Sequence, residues 1–99
     1  MKKYSVLIHG SNFFIRLDGK IERMGFYTTR YVEAEDAALA EFKAAELIQN
    51  DDELNKTVFN TPDNPPVLFA EEITELESFK GINVPGGGYS LYLDVEELH

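Results

Sequence analysis

Ninety-nine residues with a net charge of −9 and no cysteine suggest one domain, 1–99, able to close a core without disulfides or metal. The apolar and charged fractions, 43% and 27%, are those of a globular chain and exclude a disordered tail. The missing cysteine excludes disulfides, thiolate metal sites and cysteine nucleophiles, and the acidity argues against nucleic acid as a partner, because phosphates would be repelled.

The charge is uneven. Residues 1–33 hold six basic against three acidic side chains, and residues 34–99 hold three against fifteen. Residues 1–9 lack the long apolar region and cleavage site of a signal peptide, and no run is long enough to cross a membrane. The expected compartment is therefore the cytoplasm, with no membrane partner.

The chain begins with strand patterns. In 3–9, Tyr4, Val6 and Ile8 alternate with Ser5, Leu7 and His9. Both sets carry apolar groups, which suits a central strand. Gly10-Ser11-Asn12 has turn chemistry, and 13–17 places Phe13, Ile15 and Leu17 opposite Phe14 and Arg16, so a hairpin is expected across 10–12. Asp18-Gly19 is the strongest hairpin signal, because both residues tolerate positive φ. Residues 20–24 read as a polar edge strand, and Gly25 as a bulge. In 26–34, Phe26, Thr28, Arg30, Val32 and Ala34 share one side, with Tyr27, Thr29, Tyr31 and Glu33 on the other.

Near Asp36 the period changes from two to 3.6, so a strand feeds directly into a helix capped by Asp36. At 100° per residue Ala37, Ala40, Ala44, Leu47 and Ile48 form the sheet-facing stripe. Leu39 and Phe42 fall outside it. A later loop, a partner chain or nothing covers them, and the partner alternative makes them candidate interface residues. A further helical turn is expected within 51–59, and 60–66 is a breaker cluster. Residues 67–77 resume strand character, with Val67, Phe69 and Ile73 on one parity and Leu68, Ala70 and Leu76 on the other. Residues 78–88 read as irregular, 89–94 as a last strand, and 95–99 as a frayed end.

Chemistry is sparsely signalled. His9-Gly10-Ser11 has no acid placed by sequence to orient the imidazole. Gly86-Gly87-Gly88 lacks the Lys-Ser/Thr and the helix of a phosphate loop. The acid pairs Asp51/Asp52, Glu71/Glu72 and Glu96/Glu97 lack metal-ligand spacing. No catalytic residue, metal site or cofactor is assigned. His9, Arg16, Tyr27, Arg30 and Tyr31 remain as a candidate ligand-binding set if their strands bring them together.

The runs Tyr4-Ser5-Val6-Leu7-Ile8-His9-Gly10, Gly25-Phe26-Tyr27-Thr28-Thr29-Arg30-Tyr31-Val32, Glu71-Glu72-Ile73 and Pro85-Gly86-Gly87-Gly88-Tyr89 resemble a small family of uncharacterised bacterial proteins. That resemblance implies a cytoplasmic bacterial protein and carries no catalytic residues. The strand-to-helix order is more weakly similar to that of HicB-type antitoxins, whose Leu-Pro-Gly-Cys segment is missing here.

These readings give an α+β fold: an antiparallel or mixed sheet of four or five strands, one main helix on one face, in order β-β-β-α-β-β. One helix covers one face of a sheet, and aromatic residues fall on both. The expected role is a non-enzymatic, self-associating interaction module, a homodimer, with a basic protein as a further candidate partner. The alternative is a small-molecule binder or enzyme using the His9, Arg16, Arg30 and Tyr31 set.

Overall fold

Two long strands dominate the fold in the computed structural model, which describes residues 1–94. The expected frayed end at 95–99, with Glu96 and Glu97, lies outside the described residues. Strand β1 (Lys2–Leu17) and strand β2 (Lys20–Ala34) form an antiparallel hairpin. It turns at Asp18 and Gly19, whose φ angles are +50° and +80°. Helix α1 (Ala37–Gln49), a short helix α2 (Asp52–Asn55), β3 (Val67–Leu76) and β4 (Ser90–Leu93) follow. The sheet order is β3-β1-β2-β4, antiparallel throughout. The protein is an α+β fold with one main helix across one sheet face.

The three strands expected before the helix are two. Gly10-Ser11-Asn12 does not turn the chain. The register between β1 and β2 runs Gly10↔Phe26 and then Phe13↔Met24, so Ser11 and Asn12 together oppose Gly25. This is a β-bulge on β1. Asn12 supplies its positive φ of 58°, and its amide and side chain are held from three directions. Asp94 Oδ2 accepts from the Asn12 N–H at 2.8 Å. The Asn12 side-chain amide donates to Asn64 Oδ1 at 2.8 Å. The Asn12 carbonyl accepts from Asn60 Nδ2 at 2.8 Å.

The bulge shifts the phase of β1 by one residue. Tyr4, Val6 and Ile8 face the helix before it, and Phe13 and Ile15 face the helix after it; all five are buried. A second bulge does the same on β3. The register there passes from Leu7↔Glu72 to Ile8↔Ala70, leaving Glu71 as the extra residue. Ile73 therefore packs on the core with Leu68 and Ala70, not on the Val67 and Phe69 side that unbroken alternation predicts.

The core lies between the sheet and α1. Asp36 caps α1 as expected, its Oδ1 accepting from the Leu39 N–H at 2.9 Å. Only Ala40, Ala44 and Ile48 of α1 are buried, on successive turns. The two alanines let the helix sit close to the sheet, and Ile48 joins Phe26, Ile8 and Val6 as the largest fully buried side chains. Ala37 and Leu47, placed in the stripe by the helical wheel, remain exposed. A stripe of alanines contacts the sheet along a narrow line, and side chains at its margins stay in solvent. Leu39 is 38% and Phe42 63% exposed; no described loop covers Phe42.

Candidate functional site

The face of the sheet away from α1 carries Leu7, His9, Tyr27, Thr29 and Tyr31. At its centre His9 lies opposite Tyr27 and opposite Phe69 on β3. Its imidazole stacks on the Tyr27 ring, with centroids 4.4 Å apart and planes within 9°. Phe69 meets the same imidazole edge-on at 4.8 Å.

Two edge-strand side chains reach His9. The Glu71 bulge directs a carboxylate to His9, with Oε1 3.1 Å from Nδ1. From the opposite edge, the Tyr92 hydroxyl reaches His9 Nε2. Tyr92 pairs with Gly25 on β2, and a Cβ at Gly25 would sit 2.3 Å from the Tyr92 ring. The missing side chain lets the phenol pass over β2 and meet β1. The four strands are thus clasped by one line of side chains, Glu71–His9–Tyr92. A carboxylate only accepts, so the network assigns the proton to Nδ1, and in the neutral ring Nε2 accepts from the phenol.

This line of side chains has the connectivity of an acid–base–nucleophile triad, with a phenol at the nucleophile's end. Burial of the ring, and then the nearby Asp94, Tyr27 and Glu71, push the Tyr92 phenol above its ordinary value. An activated nucleophile needs the opposite shift. The clasp holds a protonated donor, which suits a structural tie.

Beyond the clasp, 77–89 forms a strap from β3 across the open face to the β2 edge. Phe79 packs edge-on against Tyr31 at 6.2 Å, the Pro85 carbonyl accepts from the Tyr31 N–H at 2.9 Å, and the Gly88 carbonyl accepts from the Thr28 hydroxyl at 2.6 Å. A broad trough separates the strap from Tyr27.

The candidate ligand set divides. His9 and Tyr27 stack, and Tyr31 shares their face. Arg30 lies on the other face, only 4% exposed. Its Nη1 donates to the Thr28 hydroxyl and to the Thr29 carbonyl, and its guanidinium lies 5.2 Å from the Tyr89 ring centroid. Tyr89 in turn donates to Asp51 Oδ2 at 2.6 Å, and Asp51 caps α2 through the Glu53 and Leu54 N–H groups. Burial, and next the Asp51 hydrogen bond, push the Tyr89 phenol up to about 12. The same hydrogen bond, with help from the α2 amides and Arg30, holds the Asp51 carboxyl below its usual value. Arg30 is therefore a buried charge held by Thr28, the Thr29 carbonyl and the Tyr89 ring, with the Asp51 carboxylate beyond that ring. Arg16 stands near the hairpin tip, 4.6 Å over the Phe59 ring. The five residues do not line one pocket.

Sequence reasoning left out Glu71, Phe69 and Tyr92. Glu71 lies 62 and Tyr92 83 residues from His9, and only the strand order and two bulges join them. The signal available in the sequence was Gly25, a gap in an aromatic-rich strand.

No protein-family model, curated protein or solved structure matches the chain. No described helix is long and apolar enough to cross a membrane.

Proposed function

We propose that this protein is a non-enzymatic interaction module of a bacterial cytoplasm that pairs with a second copy through the open sheet face. The observation that carries this reading is the aromatic ledge there. Tyr27 is 41% and Phe69 45% exposed, fixed in place around His9. Preset aromatic rings contribute contact area at little cost in side-chain entropy, and aromatic and arginine side chains are enriched in interfaces. Charge supports self-pairing too. Lys3, Arg16 and Arg23 stand on this face against Glu33, Glu71, Glu72 and Asp94, so it carries little of the protein's charge of −9. The acid excess that would repel a second copy lies elsewhere.

Sedimentation equilibrium tests the pairing. The protein should dimerise at micromolar to millimolar concentration, and Phe69→Lys or Tyr27→Lys should abolish the dimer while Phe42→Lys leaves it intact. A monomer at all concentrations, or a dimer broken by Phe42→Lys alone, overturns this reading.

A second reading rests on Leu39 and Phe42. Exposed Glu35, Glu41 and Glu46 accompany this apolar pair on and just before α1, which suits a basic protein partner. Such a complex weakens steeply with salt; a partner that binds this face equally well at low and high salt removes the electrostatic claim.

A further inference from the structure

The trough beside the ledge is a separate hollow that shares Tyr27 with the pairing surface and the clasp. Its volume is about 740 Å³, within the range of small-ligand sites, roughly 300–1,000 Å³. Leu7 and Thr29, paired across β1 and β2, form its floor. Tyr27 and Tyr31 flank Thr29 along β2, about 13 Å apart at strand spacing. Asn83 and the backbone of Gly86-Gly87-Gly88 line the strap side. A Cβ at Gly87 or Gly88 would meet nothing within 4 Å, so this backbone stands open.

The lining has one property that selects a ligand class. In a chain with 27% charged residues, no charged side chain among the described residues lines the trough. An anion would find no cation there and would approach against a net negative field. A cation would find no carboxylate. A purely apolar ligand would cover the Thr29 hydroxyl, the Asn83 amide and the glycine backbone without replacing their hydrogen bonds to water. The remaining chemistry is an uncharged molecule with apolar faces and many hydroxyls.

We propose that the trough binds a neutral saccharide of disaccharide size. The C–H faces of its rings pack on Tyr27 and Tyr31, and its hydroxyls exchange hydrogen bonds with Thr29, Asn83 and the glycine backbone. Because Tyr27 also belongs to the pairing surface, binding is read in the Phe69→Lys variant, in which it persists whether or not the unaltered protein dimerises.

Amide chemical shifts of the full chain, titrated with maltose, cellobiose and N,N′-diacetylchitobiose at millimolar concentration, test this. At least one disaccharide should shift Thr29, Tyr31, Asn83 and Gly86-Gly87-Gly88 saturably, and glucuronic acid should not. Thr29→Val should weaken binding by about fivefold, the worth of one neutral hydrogen bond. Asn83→Asp, on the exposed strap, gives an independent loss should Thr29→Val disturb the sheet. No shift with any of the three disaccharides overturns the proposal. So do saccharide shifts that survive both substitutions, or adenosine shifting these residues when no saccharide does.

Discussion

On the helix side of the sheet Tyr4, Phe13 and Phe26 are almost wholly buried, while on the other side Tyr27 and Phe69 keep more than two-fifths of their surface in water. The aromatic supply is similar and the use differs. Phe26 is packed by Phe13 at 4.8 Å and by Tyr89 at 4.9 Å beneath an alanine-faced helix, so its contribution comes from area removed from water. Tyr27 stacks on, and Phe69 meets edge-on, an imidazole tied to both sheet edges, so their contribution is order. Polar groups divide likewise. Arg30 is sealed behind Tyr89 and Asp51, whereas His9 sits among partners at the surface. The difference teaches that one face holds the fold and the other presents it.

Substitutions on the two faces should differ most in stability. Phe26→Ala should cost about 3–5 kcal/mol, and Phe69→Ala about 1 kcal/mol or less, as expected for a surface position. Urea denaturation measures both, and equal losses would break the contrast between the faces. Gly25→Ala comes next, because its Cβ would strike the Tyr92 ring. Displacing that ring should cost about 1–3 kcal/mol, as overpacking does, and should release the His9–Tyr92 bond, read from the His9 ring resonances. A full loss of stability with those resonances unchanged would dismiss the clasp.

Two smaller effects concern the buried side. The folded value of Tyr89 is raised to about 12 from 10.0, so its neutral phenol is favoured by folding. That stability is fully present below pH 10 and is lost as pH rises toward 12. Tyr89 is only half-buried, so the effect should be about 1 kcal/mol after solvent screening, and Tyr89→Phe should remove the alkaline slope. Asp51 has the opposite sign. Its lowered folded value gives stability present above 3.8 and lost as pH falls through that lowered value. Asp51→Ala should cost about 1 kcal/mol as a lost helix cap, measured by thermal unfolding at neutral pH.

Much of the architecture was legible from local pattern. Asp18-Gly19, the Asp36 cap and the alternation of Phe26, Thr28, Arg30, Val32 and Ala34 each report one neighbourhood, and the turn, the cap and the alternation are all present, the last within one strand that runs from Lys20 to Ala34. Gly10-Ser11-Asn12 misled because a bulge and a turn use the same residues. The phase change between Ile8 and Phe13 was visible, but a hairpin and a bulge explain it equally well until the partner strand is known. The site was less legible. Arg30 and Tyr31 are adjacent, so alternation alone already separated them. Glu71 and Tyr92 needed strand order, which no local pattern encodes.

The bulge at Ser11 and Asn12 makes the length of β1 carry information of its own. Removing either residue would restore an unbroken alternation, and the strand would look more regular for it. That same deletion would keep Phe13 opposite Met24 and on the core face, because Gly25 leaves room for one residue between Gly10 and Phe13, but it would take from Asn60 and Asp94 the bulge they grip. In this hairpin the extra residue serves the contacts outside the sheet: its loss would leave the core pattern readable and set free the segments that Asn60 and Asp94 anchor.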